Sequence, residues 1–277
     1  MQAGQPSLTA RRAAAHRALH QTLDQARVFR DPLAPVILGD DPATVLGGDQ
    51  SSPARLGMRW FIAARSRFAE DTLAAAVARG VRQYVVLGAG LDTFACRNPY
   101  AGDGLAVFEV DYPATQVWKR GRLAEAGLAP LAGAVFAPVD LERQTLAEGL
   151  AAAGFDAARP AFFSWLGVTP YLTHEAIFQT LGFIAGVPGA EVVFDHGEPP
   201  SAYSGEAAAA RQARAAGVAA MGEPWITHFE PQALRQDLLA LGFTEVEDLG
   251  PGQIGPRYFD RPGREGPGPH AVRARRA

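Results

Sequence analysis

Short, unbroken apolar runs alternate with stretches of helical period along most of the chain. Tyr84-Val85-Val86-Leu87 is such a run, closed by Gly88. A run apolar at every position suits a parallel strand buried on both faces. Further strands are expected at Ala106–Val110, Ala134–Pro138, Ala161–Leu166 and Ala190–Asp195. The intervening segments Pro113–Ala126, Gln144–Ala153 and His174–Ile184 carry helical spacing. This alternation predicts an α/β fold, a parallel sheet wound from right-handed crossovers. Ahead of it, residues 8–28 read as a helix and 29–56 as short pieces and loop. Residues 57–79 read as one helix or two, with Phe61, Ile62, Phe68, Leu73 and Val77 on one stripe.

After Asp195 the pattern breaks. Residues 197–230 read as irregular, with one Ala-rich helix. Pro231–Leu241 reads as a helix with Gly242 as its C-cap. Two last strands are expected at Thr244–Leu249 and Arg257–Phe259. The tail 261–277 is rich in Pro, Gly and Arg and reads as disordered.

Composition narrows this picture. Hydrophobic residues make up 48% of the 277 positions and charged residues 20%, which excludes disorder for the bulk of the chain. The one cysteine, Cys96, excludes a disulfide framework, and it is expected to pack rather than react. A net charge of -3 weighs against non-specific nucleic-acid binding. The arginine-rich start has no apolar run of secretory length, and no stretch reaches membrane-spanning length. A cytoplasmic location is expected.

Open parallel sheets bind ligands outside the carboxyl ends of their strands. The first such end carries Gly88-Ala89-Gly90-Leu91-Asp92-Thr93, a turn that allows close backbone approach. Asp111 follows Gly90 by 21 residues, near the spacing at which an acid accepts ribose hydroxyls. Glu109, two residues earlier on the same strand face, is the alternative. Thr93 stands where a dinucleotide-binding loop has its third glycine, which favours an adenosine ligand without phosphates over NAD. One strand further along, Asp140 offers an acceptor for an adenine amino group and Leu141 a backbone N–H. Asp140 could instead cap the helix beginning near Gln144.

These features lie within longer pieces: RVFRDPLAPVIL near Arg27, ARSRFAED at Ala64, QYVVLGAGLDTFACR at Gln83 and FEVDYPATQVWKR at Phe108. APVDLE at Ala137, FFSWLGVTPYLT, and EPWITHFEPQALRQDLLALGF follow in order. Together they resemble the class I S-adenosylmethionine-dependent methyltransferases, specifically the leucine carboxyl methyltransferase-like family with its bacterial O-methyltransferase branch. The resemblance spans about residues 27–250. It implies a Rossmann-like, mostly parallel seven-stranded sheet with helices on both faces. It implies S-adenosyl-L-methionine as cofactor and S-adenosyl-L-homocysteine as product. By the same resemblance Arg65 pairs with the methionine carboxylate, and Gly88, Ala89 and Gly90 form the turn beneath it. Asp111 binds the ribose, and Asp140 and Leu141 meet the adenine. Leu166 departs from the family, which has a glutamate there for the methionine amino group. That group then needs another acceptor, such as a backbone carbonyl.

The expected reaction is O-methylation of a carboxylate or hydroxyl of a small molecule. A carboxylate acceptor needs no general base. A hydroxyl does, and His196 and His228 are the candidates. Tyr171, Tyr203 and Trp225 are candidates for the acceptor pocket, with Tyr171 the best placed. Alternatives are a protein carboxyl or tRNA acceptor, or a non-catalytic S-adenosylmethionine-binding protein. Net charge disfavours tRNA. No metal, no membrane and a monomer or homodimer are expected. One domain is expected: an N-terminal helical cap over residues 1–80, a core over 81–260 and a lid at 197–230.

Overall fold

A computed structural model describes residues 7–140 and 144–277. The apolar runs become strands because every position of the first, Gln83–Leu87 (β1), is buried. Four helices precede it: α1 (Leu8–Leu23), α2 (Ala34–Leu38), α3 (Pro42–Leu46) and α4 (Pro53–Ala78). After β1 come α5 (Phe94–Arg97), β2 (Ala106–Asp111), α6 (Pro113–Glu125), β3 (Ala134–Pro138) and α7 (Leu146–Ala152). The remaining elements are β4 (Phe162–Trp165), α8 (His174–Gly186), β5 (Glu191–Gly197), α9 (Gly205–Ala220), α10 (Pro231–Ala240), β6 (Glu245–Leu249), α11 (Pro251–Tyr258) and β7 (Pro269–Arg275). Seven strands make up a mostly parallel sheet of the Rossmann-like class.

The chain divides into two compact units, Ala3–Asp156 and Ala157–Ala277. In the first, β2 lies between β1 and β3 and pairs parallel with both, with Val85 opposite Phe108 and Phe108 opposite Val135. The helices expected as an N-terminal cap over residues 1–80 fall, where described, in this unit. Ala14, Ala15 and Ala18 of α1 bury themselves among Ile37, Leu38, Leu46, Leu91 and Leu123. Small side chains on α1 let its neighbours approach closely. Prolines start α3, α4 and α6, where a missing N–H is no loss. Helix α1 ends at Leu23, short of the expected 28. Gln25 and Ala26 take left-handed φ of 53° and 51°, and the chain folds back so that Val28 and Phe29 N–H donate to His20 Nε2.

In the second unit β4 and β5 are parallel, and the order continues from β5 to β7 to β6 with both further pairings antiparallel. Two expectations fail here. Arg257–Phe259 is no strand: Pro251 starts α11, which runs to Tyr258. Nor is the tail from Arg261 disordered, since Pro269–Arg275 is an interior strand between β5 and β6. The tail reads as disordered because the partners of its arginines lie far away in sequence. Arg273 is ion-paired with Glu191 and Glu245, and Arg275 with Glu245. Leu241 is the C-cap of α10, and Gly242, with φ 100°, stands one place beyond the expected cap. No helix among the described residues is long and apolar enough to cross a membrane.

Because β7 is interior, ending the chain after Gly268 strips the backbone partners from β5 and β6. The truncated protein is expected to lose its cooperative thermal transition, measured by circular dichroism. A melt matching the full chain would contradict the central placement.

Candidate functional site

The turn after β1 is held by backbone. Gly88 has φ 66°, a conformation that glycine adopts without a Cβ penalty. Gly88 and Ala89 both donate their N–H to the Val110 carbonyl, at 2.8 and 3.1 Å, which fixes the turn to the end of β2. Gly90, with φ 45°, donates its N–H to Asp111 Oδ2 at 2.5 Å. Tyr112 N–H donates to Asp111 Oδ1 at 2.7 Å. Each carboxylate oxygen keeps a second acceptor direction. Burial raises the Asp111 carboxyl above the usual carboxylate range, against the two N–H bonds that favour its charge. Gly88 is exposed and Asp111 half-buried, so both can be approached. Gly90 also serves packing, since a Cβ there would stand 2.8 Å from Ala10 Cβ on α1.

Around this turn lies a buried ionic network that the sequence did not announce. Asp31, fully buried, accepts from Arg17 Nε at 3.0 Å and from the Thr93 hydroxyl at 2.6 Å. Arg17 also donates to the Leu91 carbonyl at 2.6 Å. Arg97 donates to Thr93 Oγ1 and pairs with Glu70, and it lies 3.6 Å from Asp31. Thr93 thus replaces the third glycine with a hydroxyl that ties the loop to Asp31 and to α5. Asp92 lies beside this network. Burial works to raise it, but Arg17, Lys119 and Arg97 together hold it below the usual range.

Glu109 is closed off as an alternative to Asp111. It is 1% exposed, and Lys119 Nζ lies 2.6 Å from its Oε2. Burial raises its carboxyl, and Lys119 opposes this. The run of arginines on α4 splits three ways. Arg59 is buried and pairs with Asp24, at 2.6 Å from Nε and 3.1 Å from Nη2. Arg65 is buried, with its guanidinium 5.7 Å from the Phe61 ring centre. Arg67 is exposed and pairs with Asp71.

Asp140 is half-buried after β3, and its carbonyl accepts from Gln144 N–H at 2.9 Å. Its side chain does not cap α7. Thr145 does that, in a capping box with Glu148. Leu141 lies outside the described residues. Cys96 is half-buried against the core around α1, and burial raises its thiol. The structure therefore gathers Gly88, Ala89, Gly90 and Asp111 into one constellation.

In the second unit, Gly167 N–H donates to Asp195 Oδ1 and the Thr169 hydroxyl to the Asp195 carbonyl, which ties the ends of β4 and β5 together. Leu166 and Tyr171 are half-buried on either side of this tie. His196, the other candidate base, is enclosed by its neighbours. It is 2% exposed, stacked on His270 at 4.9 Å and edge-on to Phe229 at 5.8 Å. Burial, then the neighbouring His270, pushes its pKa down to about 4.

His196, Asp248 and His270 bring possible metal-ligand atoms within 4.8 Å of one another. Both ring nitrogens of His270 are already engaged, by Asp248 at 2.8 Å and Glu198 at 3.2 Å. Burial works against its charge, but these two carboxylates outweigh burial and raise its pKa. The group is a carboxylate-clamped imidazole stacked on a neutral one, rather than an open ligand set. His228 is half-buried, with Arg211 Nη2 3.0 Å from its Nε2. Burial, then Arg211, lowers its pKa. Tyr203 and Trp225 present their rings to Arg211.

The family model described as Leucine carboxyl methyltransferase matches residues 10–185. A Bacillus subtilis (strain 168) protein provisionally named an S-adenosyl-L-methionine-dependent methyltransferase is 29% identical over 94% of this chain and 93% of its own length. A Mycobacterium avium (strain 104) protein of the same provisional name is 37% identical over 62% of this chain and 55% of its own. The chain thus spans about half the length of that mycobacterial relative. Among solved structures, a protein from Thermobifida fusca YX, provisionally named a methyltransferase, has TM-score 0.58 at 16% identity, covering 99% of this chain and 96% of its own. A DUF574 family protein from Streptomyces avermitilis MA-4680 has TM-score 0.51 at 18% identity, covering 85% and 95%. At these identities the structural likeness speaks for the fold alone.

Asp31→Asn leaves Arg17 buried beside a neutral amide, which is expected to destabilise the protein by about 3–5 kcal/mol in urea titration. A loss below about 1 kcal/mol would show that the network is incidental. Glu109→Gln is expected to cost a similar roughly 3–5 kcal/mol, with the added change Lys119→Met recovering part of it. Strict additivity of the pair would contradict their direct coupling.

Proposed function

The chain belongs to the leucine carboxyl methyltransferase family, and from this membership we propose an S-adenosyl-L-methionine-dependent methyltransferase that acts on an oxygen, carboxylate or hydroxyl, of a small molecule. The reading rests on the Gly88–Gly90 turn with the Asp111 carboxylate fixed at the end of β2. The residues fit an adenosine ligand. The turn is open at Gly88, and Asp111 is a buried-side acceptor with free lone pairs for two hydroxyls. Thr93 replaces the glycine that would bring a pyrophosphate onto the helix. When bound, the sulfonium supplies an activated electrophilic methyl group.

The chain's own part is to bind, orient and exclude water. Asp111 accepts the ribose hydroxyls, and its fixed carboxylate needs no reorganisation to do so. Arg65, buried on α4, offers a guanidinium for the carboxylate of the methionine moiety. Asp140 offers an acceptor for the adenine amino group, and Leu141 an N–H. A carboxylate acceptor is already ionised at neutral pH and needs no base. For a hydroxyl acceptor the base is His228, since burial removes His196 from reach. Burial and Arg211 keep His228 neutral, and since Arg211 Nη2 donates to its ring, taking a proton requires that hydrogen bond to be given up. Tyr171, half-buried on the turn after β4, lines the acceptor side.

Calorimetric titration of S-adenosyl-L-homocysteine and of NAD tests the reading, and binding of NAD alone would sink it. Asp111→Ala is expected to weaken S-adenosyl-L-homocysteine by about 1–3 kcal/mol. The hydroxyls need the charged carboxylate, and the folded carboxyl titrates above its ordinary range. Wild-type affinity is therefore expected to be full near neutral pH and to fall as acid protonates Asp111. Asp111→Asn removes that dependence, and an unchanged pH profile in this variant would exclude Asp111 from the ribose contact.

A further inference from the structure

We propose that Arg211 is the anchor for an anionic group on the methyl acceptor, a carboxylate, phosphate or sulfate that is not itself methylated. This rests on the methyltransferase reading above and names the acceptor's chemistry.

Helix α9 has one buried residue along its 16, and that residue is Arg211, 9% exposed. A guanidinium cannot shed its proton to escape burial. Buried charge is normally met by opposite charge. Here the neighbours are the Tyr203 ring at 5.3 Å, the Trp225 ring at 6.0 Å and His228 at 3.0 Å. Aromatic faces attract a cation but carry no counter-charge. Among the described residues no carboxylate forms an ion pair with Arg211.

The surroundings deepen the positive excess. Arg211, Arg214 and Arg264 all act electrostatically on the Tyr203 hydroxyl, with Glu198 the opposing acid. Glu198 is itself engaged, by Gly268 N–H and by His270. Arg264 donates to the Pro267 carbonyl, and the charges acting on Arg214 are Tyr203, Arg264 and Arg211. A planar guanidinium flanked by two aromatic rings, with further cations around it, is a receptor for a flat or tetrahedral anion.

Its place in the fold is that of a ligand site. Ile226 N–H donates to the Pro170 carbonyl at 2.7 Å, and the Thr227 hydroxyl to the Leu172 carbonyl. Phe229 N–H donates to the Gly197 carbonyl at 3.1 Å. The segment carrying Trp225 and His228 is thus laid across the chain leaving β4 and the last residue of β5. Those are carboxyl ends of parallel strands, where open sheets receive ligands.

The bound anion is an anchor for a chemical reason. A carboxylate held by a guanidinium gives up lone-pair density and is a poorer nucleophile. Its conversion to an ester would also strip Arg211 of its counter-charge. The methylated oxygen therefore belongs to a second group on the same acceptor.

The test uses full-length protein saturated with S-adenosyl-L-homocysteine, whose binding is measured separately by calorimetry. Benzoate, benzamide and sulfate are titrated while tryptophan fluorescence is read, with Trp225→Phe assigning the signal to the cage. Benzoate is expected to bind about tenfold tighter than benzamide and to compete with sulfate. Arg211→Gln is expected to weaken benzoate at least about tenfold, while Arg211→Lys retains part of the affinity. Equal binding of benzoate and benzamide, or undiminished benzoate binding by Arg211→Gln, overturns the anchor and leaves the cofactor reading standing. Failure of S-adenosyl-L-homocysteine to bind the wild type overturns the reading beneath it. Should Arg211→Gln fail to fold, wild-type discrimination and Arg211→Lys still decide.

Discussion

The turn after β1 depends on one buried carboxylate. Asp31 receives Arg17 from α1 and Thr93 from the loop after Gly90, and Arg97 of α5 stands nearby. Three separate stretches of chain meet at a single charge. Because an unpaired charge there would be severely disfavoured, none of the three can move without the others. The loop's backbone is thus set from behind by side chains, while Val110 and Asp111 set it from the front. Such a two-sided frame is what preorganises a cradle made mostly of glycine.

The parts of this frame differ in how plainly the sequence states them. Strands β1, β2, β4 and β5 were legible because burial on both faces favours apolar side chains, a signature local to each run. The Gly88–Gly90 turn and Asp111 were legible because their spacing is local to one strand–turn–strand unit. Asp31 was not, although its neighbours Arg30 and Pro32 lie in a quoted motif. Its partners are 14 and 62 residues away, and only the tertiary fold reveals that an acid there is buried. Thr93 was read as a missing glycine, when its hydroxyl supplies a contact that glycine lacks.

The misread tail has the same origin. Arg273 and Arg275 on β7 look like a solvated terminus until Glu191 and Glu245 are placed beside them by antiparallel pairing. Charge in a sequence signals exposure only while its partner is unknown. His196 shows the converse. Its position at a strand end suggested chemistry, yet the aromatic and imidazole neighbours that bury it come from distant segments, Phe229 and His270.

One rule connects these cases. Several guanidiniums that the fold encloses are met by an acid: Asp31 for Arg17, Asp24 for Arg59, Glu70 for the half-buried Arg97. The acid is supplied even across two strands, as for Arg273 with Glu191. Glu109 and Lys119 obey it in reverse, the acid receiving a lysine. Two carboxylates two residues apart on β2 then differ only in what reaches them. Lys119 closes Glu109, whereas Asp111 meets backbone N–H groups that leave it able to accept more. Arg211 breaks the rule, being buried against rings and a histidine. Against the acids that meet Arg17 and Arg59, rings and a neutral histidine around Arg211 are a different kind of burial, one that an anion from outside the chain would complete.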